Sequence, residues 1–300
     1  MWATTLLMQL SKQTIEQKTE KKTSVLLPMA NVSLEAEILL SFVLNRDRIY
    51  LYTWPDKILA AEEIALFKAC IERRKIGEPI AYIIEHKEFW SLPFKVTPSV
   101  LIPRPETEIL VEQLLQILPR HDPTIRILEL GTGSGAIAIA LAKECPLWQL
   151  VATDISQAAL DIAKLNAKNL AINSIQWLLG DWYAALSLLP PEQSTFHAIV
   201  SNPPYIAEQD PHLFSGDLRY EPNIALEAKN SGYFALEQII NEAPKHLLEG
   251  GWIFLEHGLT QATLVKALLK KAHFFNITVV KDLAGVNRVT VAKWLKNRII

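Results

Sequence analysis

The segment Asn202-Pro203-Pro204-Tyr205 combines residue types that could bind a planar substrate group, and it follows an apolar run that begins at Ala198. An ordinary turn after a strand is one explanation, because Asn-Pro and Pro-Pro both interrupt regular structure. Two adjacent prolines also fix φ at both positions and remove both N–H donors, which leaves their carbonyls as rigid acceptors. The asparagine side chain adds one acceptor and two donors, and the tyrosine adds a flat face. The set therefore matches a planar group that carries an NH₂.

A glycine-rich loop, "GTGSG" at residues 131–135, holds three of the 11 glycines of the chain. Glycine allows sharp turns and close approach of a ligand, and the helix that follows would offer unpaired N–H groups to a carboxylate or phosphate. Asp154 follows Gly133 by 21 residues, the separation at which an acid at the end of the second strand binds ribose hydroxyls. Gly131-x-Gly133-x-x-Ala136 also satisfies the dinucleotide pattern of dehydrogenases, and a tight turn beside an incidental surface aspartate is the structural alternative. Nucleoside binding is favoured, and the kind of nucleoside stays open.

These residues need a scaffold that brings them together, and from Arg126 onward short apolar segments alternate with helical patterns. This alternation is typical of a parallel sheet that helices cover on both faces. The predicted strands are Ile127–Leu130, Gln149–Thr153, Ile175–Leu179, Ala198–Ser201 and Trp252–Glu256. Near the end of the chain, "NITVV" and "RVTVAKW" leave no room for a crossover helix between them, which predicts an antiparallel pair at one edge of the sheet.

The first four predicted strands all end in polar or glycine-rich residues. Their ends are Glu129 to Gly135, Asp154, Gly180 to Trp182, and Ser201 to Tyr205. Because ligands gather at the carboxyl ends of parallel strands, these four strand ends are expected to form one shared pocket.

Three regions are expected along the chain. Residues 1–76 lack strand patterning and show apolar stripes at helical spacing, one of which follows Ser33, the expected N-cap. Another stripe consists of Trp2, Leu6 and Leu10. Residues 77–103 place β-branched and aromatic residues between turn formers, which predicts a hairpin linker. Residues 104–300 begin with a helix opened by Pro105 and are expected to form the ligand-binding domain.

Composition excludes several classes of protein. With 300 residues, half of them hydrophobic, the chain can form one large domain with an appendage. A charged fraction of 21% and a formal net charge of -2 give no sign of a protein that binds nucleic-acid phosphates. Cys70 and Cys145 lack paired spacing and the seven histidines form no HExxH motif, so neither a disulfide nor a metal centre is expected. Without a signal peptide or an apolar run long enough to cross a bilayer, we expect a cytoplasmic protein with no membrane partner.

Taken together, the motifs "ELGTGSG", "GDW" and "SNPPY" are similar to those of class I S-adenosylmethionine-dependent methyltransferases that act on planar amino or amide nitrogen. More narrowly, "GEPIAYI", "EFWSLPFKVTPSVLIPRPETE", "SNPPYI", "EPNIAL" and "DLAGVNRVTVAKW" resemble the bacterial release factor glutamine methyltransferase family, from roughly residue 34 to residue 294. The first 30 residues match little, and Glu85 stands where members of that family often have glycine.

The resemblance implies an α/β, Rossmann-like fold with a mostly parallel seven-stranded sheet and S-adenosyl-L-methionine as cofactor. It also implies class I peptide chain release factors as partners, gripped with the help of the helical region and the hairpin, and no direct nucleic-acid substrate.

The resemblance also implies a role for each matching residue. Those around the cofactor are Glu129 for the amino group, Gly131, Thr132, Gly133, Ser134 and Gly135 for the methionine part, Asp154 for the ribose, Asp181 and Trp182 for the adenine side, and Asn202. Those around the substrate glutamine are Asn202, Pro203, Pro204 and Tyr205. Arg104 and Glu106 would organise the pocket or the incoming peptide, although acidic residues at a helix N-terminus are also a purely structural feature.

The expected reaction is methylation of the side-chain amide nitrogen of the glutamine in the Gly-Gly-Gln motif of release factors. We expect Asn202 Oδ1 and the Pro203 carbonyl to accept the two N–H bonds of that amide, while Tyr205 packs against its plane. Correct positioning of the amide nitrogen would then supply much of the rate acceleration of methyl transfer. No strong base is required beforehand, because a proton becomes acidic once the nitrogen carries the new methyl. His257 is expected to be structural.

Four alternatives stay open on the sequence. The same "NPPY" geometry suits adenine in a nucleic acid, although such an enzyme would extrude its base and the chain shows no basic, aromatic-rich recognition domain. A glutamine of a large-subunit ribosomal protein is a second possible acceptor. A nicotinamide-dependent oxidoreductase would leave "NPPY" without a role. A binding module that has lost catalysis would not explain an intact "GTGSG", Asp154 and Asn202.

Overall fold

The computed structural model describes residues 29–214 and 216–296. The chain divides into two compact units, with the boundary between Glu85 and His86. This boundary falls inside the predicted linker, so the hairpin that follows it belongs to the second unit. The predicted apolar stripe that begins at Trp2 lies outside the described residues.

The first unit is helical, as predicted. Its helices are α1 (Met29–Leu44), α2 (Arg48–Thr53), α3 (Ala61–Lys75) and α4 (Ile80–Ile83). The core that they form contains Ala36, Leu39, Leu40, Phe67, Cys70, Ile71 and Ile83. A salt bridge of 2.8 Å between Arg74 and Glu35 joins α3 to α1. The prediction that α1 begins after Ser33 is wrong: the helix extends back to Met29, and Ser33 Oγ donates to Glu37 one turn later within the helix instead of capping it.

The predicted hairpin is present at the start of the second unit. Its strands β1 (His86–Phe89) and β2 (Leu92–Lys95) pair antiparallel. The two loop residues, Trp90 and Ser91, have φ of 53° and 55°, which is the backbone of a tight turn whose twist matches that of the strands. The Trp90 backbone N–H donates to Glu108 Oε1 at 2.7 Å, so the turn is fixed to the domain that follows.

A seven-stranded sheet forms the centre of the second unit, in the order β10-β11-β9-β6-β3-β4-β5. The strands that follow the hairpin are β3 (Arg126–Leu130), β4 (Gln149–Asp154), β5 (Ile175–Leu179), β6 (Phe196–Ser201), β7 (Ile206–Ala207), β8 (Glu227–Ala228), β9 (Leu247–Glu256), β10 (Phe274–Lys281) and β11 (Asn287–Trp294). Strands β9, β6, β3, β4 and β5 run parallel, and β11 pairs antiparallel with β9 and β10. The predicted mostly parallel sheet with an antiparallel edge pair is confirmed, although β9 begins at Leu247 rather than at Trp252.

Helices cover both faces of this sheet. They are α5 (Glu108–Ile117), α6 (Ala136–Glu144), α7 (Gln157–Asn169), α9 (Phe234–Glu242) and α10 (Ala262–Lys271), while the short helix α8 (Asn223–Leu226) contacts β8. Side chains of β3 alternate between the faces: Ile127 packs with α5 and α6, and Leu128 and Leu130 pack with α9 and α10. Glu129 therefore lies on the face where α6 begins, and burial on both faces holds the ends of the strands in place.

The chain after β6 is held by close contacts. Strands β7 and β8 form a small parallel pair. Gln261 Nε2 donates to the Tyr205 carbonyl at 3.0 Å and to the Gly232 carbonyl at 3.2 Å. Gly232, with φ of 88°, approaches so closely that a Cβ there would lie 2.3 Å from the Tyr205 oxygen. These contacts leave the backbone at Tyr205 little freedom to shift.

Candidate active site

The carboxyl ends of β3, β4, β5 and β6 meet at a cavity of about 490 Å³. This is where the sequence predicts a pocket, and the volume is in the range of small-molecule sites. The predicted residues in its wall are Arg104, Glu129, Gly131, Thr132, Gly133, Ser134, Asp154, Asp181, Trp182, Asn202 and Pro204. Other parts of the wall come from Thr107, Ile224, Ala225 and Phe234.

A second cavity of about 60 Å³ adjoins the large one. The residues that line both are Leu101, Arg104, Asn202, Pro204 and Ala225. Pro203 and Tyr205 line only the small cavity. Asn202 thus stands between a large compartment and a small one, which is an arrangement suited to a reaction between two bound molecules.

The glycine-rich loop turns directly after β3. The backbone N–H groups of Gly131 and Thr132 both donate to the Thr153 carbonyl at 2.9 Å, which ties the loop to the end of β4. Gly131 has φ of 72°, and a Cβ there would lie 3.3 Å from Trp182 Cζ3. The indole of Trp182 therefore packs over Gly131, and glycine is needed at this position both for its backbone angle and for the room it leaves.

Gly135 has a different surrounding from the rest of the loop, because it is not part of the cavity wall. It precedes α6 with φ of 83°. A Cβ there would lie 2.9 Å from Ile139 Cδ1 and 3.1 Å from the Cβ of Ala163. This glycine allows α6 and α7 to pack closely, and it contributes to the site by placing the start of α6.

Glu129 is a buried carboxylate in the wall of the large cavity, with 2% of its surface exposed. Its Oε2 accepts hydrogen bonds from Thr132 Oγ at 2.8 Å and from the Ala138 backbone N–H at 3.0 Å. Its Oε1 accepts none from any residue that the structure describes. Burial raises the pKa of Glu129 to about 8. The raised pKa means that the ionised carboxylate of Glu129 is unfavourable without a counter-charge. A ligand with a positively charged donor group would supply that counter-charge.

Asp154 ends β4 and lies in the wall of the same cavity. Its Oδ2 accepts from the Gly133 backbone N–H at 2.8 Å and its Oδ1 from the Ser156 backbone N–H at 2.9 Å. Burial raises its pKa above the ordinary value. Each carboxylate oxygen can accept a further hydrogen bond, so Asp154 is oriented by the loop and can still bind two hydroxyls.

Asn202, at the end of β6, is oriented by a buried hydrogen-bond chain. Its Nδ2 donates to Thr107 Oγ at 3.1 Å, and Thr107 Oγ donates to Glu256 Oε2 at 2.7 Å. Oδ1 of Asn202 accepts no hydrogen bond within the part of the chain that the structure describes. The amide therefore keeps an oxygen acceptor available at the junction of the two cavities.

Tyr205 is joined to the same carboxylate. Its hydroxyl donates to Glu256 Oε1 at 3.4 Å, a long hydrogen bond. Burial raises the pKa of Tyr205 further above its ordinary value, and it raises that of Glu256 to about 7. The tyrosine is therefore neutral, and its ring forms part of the wall of the small cavity.

Arg104 lines both cavities and donates to Glu221, whose side chain is fully buried. Glu221 also accepts from the Ile102 backbone N–H at 3.1 Å. Burial raises the pKa of Glu221, and the charge of Arg104 opposes that effect. Glu106, predicted together with Arg104, is half-buried and lies in the wall of neither cavity.

His257 is fully buried next to Glu256, and its Nε2 lies 2.8 Å from Thr290 Oγ. Within residues 29–214 and 216–296, no group of three or more His, Cys, Asp or Glu side chains could hold a metal ion. The helices of this same part are all too short or too polar to cross a bilayer.

Two family models match the sequence: the PrmC N-terminal domain over residues 23–84 and the methyltransferase small domain over residues 105–215. The release factor glutamine methyltransferase of Coxiella burnetii is 48% identical over 260 residues, which are 87% of this chain and 91% of that protein. The chain belongs to the release factor glutamine methyltransferase family. Membership makes it an enzyme of the methyltransferase class, and the predicted resemblance is confirmed.

Solved methyltransferases share the fold of this member of the release factor glutamine methyltransferase family. A methyltransferase from Pyrococcus furiosus has a TM-score of 0.51 at 20% identity, over 76% of this chain and 98% of that one. The 16S rRNA N2 G1207 methyltransferase of Thermus thermophilus, in complex with AdoMet and guanosine, has a TM-score of 0.50 at 21% identity, over 70% of this chain and 49% of that one. The fold thus occurs with unlike acceptors, so it does not specify which acceptor is used.

Three residues of the site in this family member were missed by sequence reasoning: Thr107, Glu221 and Glu256. Glu256 ends β9, so the rule that was applied to the first four strand ends would have found it at the fifth. Glu221 opens the segment "EPNIAL", which carries the family resemblance but gives no separate sign of a site residue. Thr107 carries no signal, because a threonine at the start of a helix is common.

Proposed function

We propose that this protein transfers a methyl group from S-adenosyl-L-methionine to the side-chain amide nitrogen of the glutamine in the Gly-Gly-Gln motif of class I peptide chain release factors. The observation that carries the proposal is Asn202, whose nitrogen is engaged by Thr107 while its oxygen is available where the two cavities meet. Family membership supports glutamine rather than a nucleic-acid base as the acceptor. Because release factors act in translation termination, we propose the cytoplasm as the location.

The large cavity fits this cofactor by its donors and acceptors. Glu129 Oε1 can accept from the α-ammonium group, and Asp154 can bind the ribose hydroxyls. The indole of Trp182 offers an aromatic face to the adenine. The cofactor, when bound, supplies an electrophilic methyl group on a positively charged sulfur. The protein contributes the position of the acceptor.

The small cavity holds the acceptor amide in this proposal. An amide nitrogen is a poor nucleophile because its lone pair is delocalised, so the protein must place it accurately. Asn202 Oδ1 and the Pro203 carbonyl accept the two N–H bonds, and no residue that the structure describes donates to either oxygen. The ring of Tyr205 packs against the amide plane. As the bond from the amide nitrogen to the methyl carbon forms, the bond from that carbon to sulfur breaks and its electron pair stays on the sulfur. The methylated nitrogen is then cationic and acidic, so its proton passes to water without a buried base.

The size of the small cavity supports a carboxamide as the acceptor. A volume of about 60 Å³ suits an unbranched side chain that ends in a planar amide. The choice of glutamine over adenine rests on family membership.

The proposal is tested by incubating the protein with labelled S-adenosylmethionine and a purified release factor, followed by mapping of the methyl group by mass spectrometry. We expect label on the glutamine of the Gly-Gly-Gln motif and none on a release factor in which that glutamine is alanine. Large-subunit ribosomal proteins serve as competing substrates. Label on a ribosomal protein alone, or no label with a release factor that is active in peptide release, would contradict the substrate assignment.

The role of Asn202 is tested separately with Asn202→Ala. We expect methyl transfer to fall roughly 100-fold or more, because the acceptor loses one of its two positioning contacts. Cofactor binding, measured by calorimetry, serves as the control for a folded site. Undiminished transfer with intact cofactor affinity would show that Asn202 does not position the acceptor.

A further inference from the structure

Asn202, Thr107 and Glu256 come from distant parts of the sequence and form one buried chain of hydrogen bonds. Thr107 precedes α5, Asn202 follows β6, and Glu256 ends β9. The bonds are 3.1 Å from Asn202 Nδ2 to Thr107 Oγ and 2.7 Å from Thr107 Oγ to Glu256 Oε2. Thr107 is 5% exposed and Glu256 is 1% exposed, so bulk water cannot replace either partner.

When Glu256 is ionised, the chemistry of these groups permits one direction of donation. A threonine hydroxyl has a single hydrogen, and an ionised carboxylate only accepts. The hydroxyl hydrogen of Thr107 therefore points to Glu256, and its lone pairs face Asn202. Asn202 must then present Nδ2, because a reversed amide would set Oδ1 against those lone pairs. Every hydrogen bond in the series therefore donates toward Glu256, and this leaves Oδ1 of Asn202 facing the cavities.

We propose that Thr107 and Glu256 are positioning residues that fix the Asn202 amide with its oxygen toward the acceptor nitrogen. The inference rests on the proposed function, because it assumes an acceptor that carries N–H groups. A reversed amide would direct Nδ2 at those groups and place donor against donor. Both residues act through Asn202, so their loss affects the alignment of the acceptor more than the binding of the cofactor.

Glu256 also connects the two ends of the "NPPY" segment. Its Oε2 acts on Asn202 through Thr107, and its Oε1 accepts from the Tyr205 hydroxyl at 3.4 Å. The carboxylate of Glu256 thus holds two groups that contact the substrate amide in this proposal. One is the Asn202 side chain, and the other is the Tyr205 ring. This double attachment explains why an acidic residue is buried behind the small cavity.

The direction of donation depends on the ionisation of Glu256. Burial raises its pKa to about 7, Glu106 raises it further, and Thr107, Arg288 and the Tyr205 hydroxyl lower it. A protonated carboxyl could donate to Thr107 and so permit the reversed amide. The ionised form is the active one, so kcat at saturating cofactor is expected to be about half its maximum near pH 7, to approach the maximum at higher pH and to fall as the pH drops.

The test compares Thr107→Val, which keeps the shape and removes the hydroxyl, with Thr107→Ser, which keeps the hydroxyl. We expect valine to lower kcat roughly 10- to 100-fold with less than about a threefold change in cofactor Kd, and serine to restore most of the rate. In the Asn202→Ala background the valine substitution should have no further effect on kcat. Glu256→Gln should remove the acidic limb of the kcat profile near pH 7.

A second measurement does not depend on activity. Side-chain amide protons of Asn202, identified by their absence in the spectrum of Asn202→Ala, should exchange with water several-fold faster in Thr107→Val than in the wild type or Thr107→Ser. If the wild type methylates no release factor, the proposed function fails. The exchange rates of the Asn202 amide protons still test whether the hydrogen-bond chain exists. Equal exchange in all three proteins, or an undiminished kcat in a folded Thr107→Val variant, would overturn the proposal.

Discussion

Arg104 donates to the buried carboxylate of Glu221, 117 residues later in the chain. The side chain of Glu221 is fully buried and that of Arg104 is 31% exposed on the side of the cavities. The same carboxylate accepts from the Ile102 backbone N–H. The pair therefore joins the segment before α5 to the segment before α8 and holds two parts of the cavity wall together.

Replacing Glu221 by alanine should destabilise the protein. Glu221→Ala leaves the Ile102 N–H without its acceptor and Arg104 without its counter-charge, which predicts a loss of about 2 to 3 kcal/mol in the free energy of unfolding. Urea unfolding measures this loss. The matched control is Glu72→Ala, which breaks an exposed ion pair with Lys75 and should cost less than about 0.5 kcal/mol. Equal losses for the two variants would contradict a structural role for the buried pair.

Cofactor binding should depend on the protonation of Glu129. The pKa of about 8 means that the carboxyl is protonated at pH 7, whereas a bound ammonium group requires the ionised form. Affinity should therefore rise with pH up to about 8 and level off above it, and binding at pH 7 should release a proton. Calorimetry in buffers with different ionisation enthalpies measures that proton.

Glu129→Gln separates this effect from other titrations. The glutamine cannot ionise, so proton release on binding should disappear and affinity at pH 8 should fall about tenfold, as expected for a lost hydrogen bond to a charged group. Glu112→Gln, on the exposed face of α5, is the control and should behave as the wild type. Proton release that persists in Glu129→Gln would assign the titration to another group.

Two glycines of the loop should differ in their tolerance of a Cβ. Gly133 has φ of 55° and an added Cβ would meet nothing within 4 Å, so Gly133→Ala should cost about 1 kcal/mol for its backbone angle alone. Gly135→Ala adds a clash 2.9 Å from Ile139 Cδ1, and should cost about 2 to 4 kcal/mol. Denaturant unfolding of both variants checks the order. A larger loss at Gly133 would show that packing behind the loop is not what requires Gly135.

Asn166 should be the most sensitive polar residue of α7. Its Oδ1 accepts from the Lys95 backbone N–H at 2.7 Å, and its Nδ2 donates to the carbonyls of Lys95 and Ser134 at 3.0 and 2.9 Å. Asn166→Ala breaks all three bonds, two to the hairpin and one to the glycine-rich loop, which predicts a loss of about 3 kcal/mol in the free energy of unfolding and weaker cofactor binding. Asn169→Ala, at an exposed position of the same helix, is the control. Thermal unfolding of both variants, with and without cofactor, separates the loss of stability from the loss of cofactor binding.

Sequence periodicity was sufficient for the sheet, the edge pair and the hairpin, because each depends on local patterns of apolar residues and turn formers. The strand-end rule also placed Glu129, Asp154, Trp182 and Asn202 around one cavity. Contacts between distant segments left no local pattern. Thr107 and Glu256 are 149 residues apart in the sequence, and nothing in either residue type indicates that they form a hydrogen bond. Gly135 could be recognised as a special glycine, but its neighbours Ile139 and Ala163 are known only once α6 and α7 are packed.

The order of strands in the sheet has a consequence for how such enzymes diversify. Strand β3 separates β4 and β5, whose ends carry Asp154 and Trp182, from β6 and β9, whose ends carry Asn202 and Glu256. The side-chain hydrogen bonds of Asn202 and Glu256 involve no residue of β4 or β5. Under the proposed function, a lineage built on this sheet could therefore change its methyl acceptor and keep the same methyl donor.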